Sequence, residues 1–105
     1  MNVLPAILPS LIERLVTAYK PEKIILFGSH AQGSSNMDSD IDLCVVKKDA
    51  RSHRTKMAEL LKLMRGFGVA LDIIPLQPEE LVDPPPHKAI QREISRTGIT
   101  VYEQE

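Results

Sequence analysis

With 105 residues, 43% of them hydrophobic and 26% charged, the chain has the make-up of one globular nucleus with a single apolar core, and it leaves no room for a separate substrate-holding domain. Its 13 basic and 14 acidic side chains leave a net charge of -1, which excludes the broad positive field that binds nucleic acid non-specifically. A lone cysteine, Cys44, rules out an internal disulfide and suits a reducing cytoplasm; the apolar runs fall far short of a membrane span, and Met1 to Ser10 lacks a secretion signal, so a soluble cytoplasmic protein is expected.

Taken in chain order, Leu8, Leu11, Ile12, Leu15, Val16 and Tyr19 recur at helical spacing, with Pro9 or Ser10 able to open the helix and Pro21 to stop it. Lys23 to Phe27 is a short apolar run that reads as a buried strand entering a tight turn at Gly28. Ser29 to Ser39 is rich in Gly, Ser, Asn and Asp and is expected to be a loop, with at most a helical turn after Ser29. Asp40 to Val46 reads as a second strand, with Asp40, Asp42, Cys44 and Val46 on one face and Ile41, Leu43 and Val45 on the other.

A second helix is expected from about Ser52 to Arg65, carried by Met57, Leu60, Leu61 and Met64 and closed by Gly66. Val69 to Pro75 follows as a third strand whose only charge is Asp72. Asp83 to Pro86 is too rich in proline for helix or sheet and is expected to run as an extended surface connector. A last helix from about His87 to Thr97 ends at Gly98 and leads into a short fourth strand, Ile99 to Tyr102.

Chemistry concentrates at three places. Asp40 and Asp42 lie two residues apart on one strand, so their carboxylates project from the same face at roughly 6 to 7 Å of backbone separation. Two anions that close repel each other, and a hard cation that takes carboxylate oxygens while keeping sites for water and phosphate, magnesium above all, relieves the repulsion. Asp72 stands alone in an apolar run, where an unpartnered buried carboxylate costs several kcal/mol, on the order expected for buried ions. If the third strand lies beside the second, Asp72 joins Asp40 and Asp42 around one or two metals, enough for phosphoryl or nucleotidyl transfer. Gly28 lets a phosphate approach the backbone, and Ser29 adds a hydroxyl and an amide.

The stretch LFGSHAQGSSNMDSDIDLCVV, with Gly-Ser, ten residues and Asp-x-Asp, resembles the signature of the minimal nucleotidyltransferases of the DNA polymerase β superfamily. These include the MntA-type antitoxins of HEPN/MNT toxin–antitoxin pairs, and the order of elements extends the likeness over nearly the whole chain. The resemblance implies an α+β fold, a small mixed sheet flanked by helices in one nucleotidyltransferase domain spanning residues 1–105. It implies Asp40, Asp42 and Asp72 as metal ligands and catalytic carboxylates, with Asp72 also a candidate base. Gly28 and Ser29 would hold the triphosphate, with His30 available to donate to it.

The implied activity is magnesium-dependent transfer of AMP from ATP to a protein hydroxyl, a tyrosine of a HEPN-domain toxin bound as a hetero-oligomeric partner. Many members carry arginine where this chain has His30 and Gln32, which lightens the positive charge at the phosphates. That departure favours, as the alternative, an antitoxin that neutralises its HEPN partner by binding alone. His53 and His87 are too scattered to suggest zinc, and neither a membrane nor nucleic acid is expected as a partner.

Overall fold

A computed structural model describes residues 4–36 and 39–105, so the middle of the expected Ser29 to Ser39 loop, at 37–38, and the first three residues lie outside the described residues. The order of elements is α1 (Leu8–Ala18), β1 (Lys23–Phe27), α2 (Ser29–Gln32), β2 (Ile41–Val46), α3 (His53–Leu63), β3 (Leu71–Leu76), a single 3-10 turn (Pro78–Leu81), α4 (Ala89–Thr97) and β4 (Ile99–Glu103). The strands form one mixed sheet in the order β3-β2-β1-β4. β1 runs antiparallel to both β2 and β4, whereas β2 and β3 are parallel and joined by the α3 crossover.

The alternation read from the second strand sorts its side chains onto two faces. Ile41, Leu43 and Val45 join Ile24, Leu26 and Ile73 on one face, where α1 contributes Leu8, Leu11 and Leu15 and α3 contributes Leu60. Cys44 and Val46 lie on the other face with Ile25, Phe27 and Leu76, under Ile94 of α4. The first face is thoroughly closed, with Leu11, Leu15, Ile24, Leu26, Leu43 and Leu60 fully buried. Each such side chain contributes on the order of 1.5–3 kcal/mol through removal from water. The second face is covered over only part of its area.

Helix ends follow local chemistry. Pro9 sits in the first turn of α1, where its missing N–H costs nothing, and Lys20, at φ 57, turns the chain out of the helix. Ser52 caps α3 by accepting from the Thr55 amide. That helix stops at Leu63, short of the expected Arg65, and Arg14 donates to the carbonyls of Leu63 and Arg65 beyond its last turn while stacking over Phe67. The 3-10 turn was not foreseen, although Gln77 and Glu80 carry its signature, a reciprocal capping box with Pro in the first turn.

The proline segment runs over the surface as expected, exposed at Asp83, Pro85 and Pro86, and is pinned at one point: Pro84 is buried, its carbonyl accepts from Arg92, and the Pro85 carbonyl accepts from the Lys88 amide. One expectation needs correction. Asp72 is exposed, because β3 is an edge strand. Pro75 fits the same edge. Bonds from the Ile41 amide to the Ala70 carbonyl and from the Lys47 amide to the Leu76 carbonyl turn alternate residues of β3 toward β2, leaving position 75 facing outward where no N–H is required. Among the described residues no helix is long and apolar enough to cross a membrane.

The closed face carries the stability. Leu43→Ala is expected to cost about 2–5 kcal/mol and Leu61→Ala, at an exposed site, less than about 0.5 kcal/mol, as urea denaturation of the two variants will measure.

Candidate active site

The register of the sheet assembles the site. Asp42 is the second residue of β2, and it lies opposite Phe27 on β1 and directly beside Asp72 on β3. Parallel neighbours in register present their side chains on the same face, so the two carboxylates come together although thirty residues separate them in sequence. Asp40 precedes the strand, which begins at Ile41, and is exposed. Its charge still reaches Asp42.

Gly28 closes the other side of Asp42. Its backbone, at φ 74 and ψ -153, turns the chain out of β1 in a conformation open to glycine and rarely to other residues. A β-carbon here would sit 2.1 Å from Oδ2 of Asp42. The absence of a side chain at position 28 is therefore what lets the Gly28–Ser29 corner and the second aspartate occupy one spot. Ser29 begins the single turn of α2, whose Ala31 and Gln32 amides bond back to the Gly28 carbonyl and which ends on Gly33 in the left-handed region.

His30 is placed differently from the other expected residues. It is buried, 9% exposed, and its Nε2 lies 3.4 Å from the carbonyl of Ser39, immediately before Asp40. The ring thus ties α2 to the approach of β2, beside a cleft lined also by Ile7 and Ile41 of the closed face and by the exposed Val69. Gln32 is exposed.

The electrostatics at Asp42 follow from this crowding. Burial, then the charge of Asp72 and a hydrogen bond shared with it, then Asp40 and Glu93 push its carboxyl from the ordinary 3.8 up to about 6. Glu93, on α4, was not singled out from sequence. The signal was available only as the helical spacing that puts it one turn from Ile90, and nothing in a sequence shows that α4 crosses the sheet above Asp42. Phe27, Ile74, Ile90, Leu61 and the carboxylates of Asp42, Asp72 and Glu93 border a cleft of about 410 Å³, mostly apolar away from its acidic end. Cys44, next along the same face, is inert: burial first and Glu80 second push its thiol up to about 12.

Among the described residues no three His, Cys, Asp or Glu side chains come together as a ready-made metal cage. The Asp42–Asp72 pair nonetheless fits a divalent cation that binds oxygen. Two adjacent carboxylates, one of them driven to hold a proton, form a donor set short of positive charge, and magnesium is usually held by one or two carboxylates with water and substrate phosphates completing its shell.

Comparison with known proteins agrees with this fold. The family model described as Polymerase beta, Nucleotidyltransferase matches residues 10–105. No curated protein matches the chain in sequence. A nucleotidyltransferase structure from Sulfolobus solfataricus superposes with a TM-score of 0.69 at 21% identity, covering 93% of this chain and 78% of the other. A toxin–antitoxin complex with AMP-PNP gives 0.63 at 23% identity, over 91% of this chain and 73% of the other. A mutant toxin–antitoxin complex of MntA and HpeT gives 0.54 at 18% identity, over 92% and 73%. The fold is shared with all three.

The crowded carboxylates set a pH dependence. The folded state holds a proton on Asp42 up to about pH 6 whereas the unfolded chain releases it near 3.8, so in the presence of a chelator stability is greatest at the acid end and falls as pH rises from about 4 to about 6. Thermal melts across that window will show it, and Asp42→Asn is expected to flatten this part of the profile and to raise Tm at pH 7 by about 2–5 °C.

Proposed function

The chain belongs to the polymerase beta nucleotidyltransferases, and from that premise we propose that it transfers AMP from ATP, with magnesium, to a hydroxyl on a protein partner. The observation that carries this reading is the register of Asp42 beside Asp72 with Gly28 pressed against Asp42. It joins a carboxylate pair to a backbone corner that can accept phosphate, which is the juxtaposition nucleotidyl transfer requires.

The residues divide the work. Gly28 and Ser29 hold the triphosphate so that its α-phosphorus faces the carboxylates, the glycine by leaving room and the serine by donating. Asp42 and Asp72, with Asp40 beside them, would hold the divalent cation, which would supply positive charge to the α-phosphate and the leaving pyrophosphate. The acceptor oxygen forms a bond to the α-phosphorus as the bond from that phosphorus to the bridging oxygen breaks. Pyrophosphate departs with the electron pair, and Asp72, exposed and open to the cleft, takes the hydroxyl proton.

The shape of the cleft supports a protein acceptor. Its walls of Phe27, Ile74, Ile90 and Leu61 suit an aromatic ring better than a polycationic sugar, and Leu61 and Ile90 are more than half exposed, as at a surface that receives another protein. Solved relatives described as a toxin–antitoxin with AMP-PNP and as a toxin–antitoxin of MntA and HpeT support a toxin as the partner; on the family resemblance, we take that toxin to be of HEPN type and its tyrosine to be the acceptor. The engagement of His30 with the Ser39 carbonyl favours a second reading, neutralisation by binding without turnover, since it leaves α2 without a cation for phosphate.

Incubation with labelled ATP, magnesium and the co-purified partner separates the two. Transfer is expected to place label on a partner tyrosine and to fall by at least about 100-fold in Asp42→Asn. Unlabelled partner that is still neutralised by Asp42→Asn would establish the binding-only reading instead.

A further inference from the structure

The phosphate half of the site has no cation on the elements that form it. Within β1, β2, β3 and β4 the only basic side chain is Lys23, which sits at the far end of the sheet opposite Val46 and Glu103. On α2 there is only His30, directed to Ser39. Asp42 and Asp72 meanwhile stand side by side, with Asp40 and Glu93 near enough for their charges to reach Asp42, where a polyanion would bind.

α4 is the bordering element that carries arginine. Leu26 pairs with Ile99 in the antiparallel β1–β4 register. Gly98, which leads from α4 into β4, packs against Ile25 of β1, so the C-terminal end of α4, with Arg96 on its last turn, enters the sheet at the end of β1 that leads to Gly28. Glu93 supplies an independent link: it borders the cleft of Asp42 and Asp72 on one side and, on the other, a cleft of about 330 Å³ lined by Arg92, Arg96 and Thr97. The two arginines differ in one respect. Arg92 is committed to the Pro84 carbonyl at 3.2 Å, whereas Arg96 is exposed and, among the described residues, has neither an ion-pair nor a hydrogen-bond partner.

We propose that Arg96 binds the β- and γ-phosphates of the nucleoside triphosphate held at Gly28 and Ser29, an inference that rests on the nucleotide reading given above. A guanidinium is always charged, forks onto two phosphate oxygens at once, and loses little of its hydration on doing so. Placed on the last turn of a helix packed across the sheet, it supplies from outside the loop the charge that α2 lacks. The simpler role for a basic residue at this point is to offset the negative end of the α4 dipole. That role affects stability alone and takes no account of what is bound at Gly28.

Equilibrium titration of the full chain with ATP and with AMP, each with magnesium, tests the assignment. Arg96→Ala is expected to weaken ATP by about tenfold and AMP by less than about twofold, since AMP has no phosphates beyond the first. Arg96→Lys is expected to recover part of the loss, and Arg92→Ala to leave both affinities unchanged. Should Arg96→Ala fold poorly, Arg96→Gln keeps the length of the side chain and removes its charge. Equal weakening of ATP and AMP, or unchanged ATP affinity with only a lowered Tm, overturns the proposal. A wild-type chain that binds no ATP overturns the nucleotide reading and this proposal together. ATP binding that is lost in Gly28→Ala and kept in Arg96→Ala overturns only the latter.

Discussion

The structure turns on the parallel register of β2 and β3, which sets Asp42 beside Asp72 on an otherwise apolar sheet. Left to itself this contact is unfavourable, because two carboxylates at neighbouring positions repel and one of them is half removed from water. The fold tolerates it for two reasons. Asp72 lies on an edge strand, so water screens part of its charge, and the opposite face of the same strands carries the fully buried core of Leu26, Leu43 and Val45. Stability and chemistry are thus placed on opposite faces of the same residues.

The register at the site is held from the far end of the sheet. After β2, Asp49 accepts through its carbonyl from Gln77 and from Lys56 at 3.2 Å, and its amide donates to Gln77 at 3.1 Å. Gln77 follows β3 directly, and Lys56 is buried within α3, so one backbone unit ties the crossover helix to the ends of both parallel strands. Because side chains alternate with a period of two, a slip of one residue there would turn Asp72 to the closed face. A polar knot remote from the carboxylates therefore fixes which of them meet.

The same division explains how charge is distributed around the phosphate corner. The loop after β1 is committed to geometry: Gly28 must be bare because Asp42 fills the space of its β-carbon, and His30 must face inward to hold the segment before Asp40. α4 is free of these demands, since it reaches the sheet through Ile94 and turns its arginines away from the core. On the proposal that Arg96 meets the outer phosphates, the neighbouring helix supplies the charge and the loop keeps its conformational task.

Much of this was legible in the residues alone. The two-residue period of Ile41 to Val46 assigned its faces, the Gly-Ser and Asp-x-Asp spacing carried the family, and the boundaries of β1 and β4 followed from Lys23 to Phe27 and from Gly98, because these are local properties of neighbouring side chains and backbone. The tertiary structure alone decided that Asp72 is exposed at an edge, that His30 is turned to Ser39, that Pro84 is buried, and that Glu93 borders the site. Each of these depends on which strand lies outermost and on where α4 crosses the sheet. Those relations arise from contacts between segments far apart in the chain, and a local pattern of residue types carries no record of them.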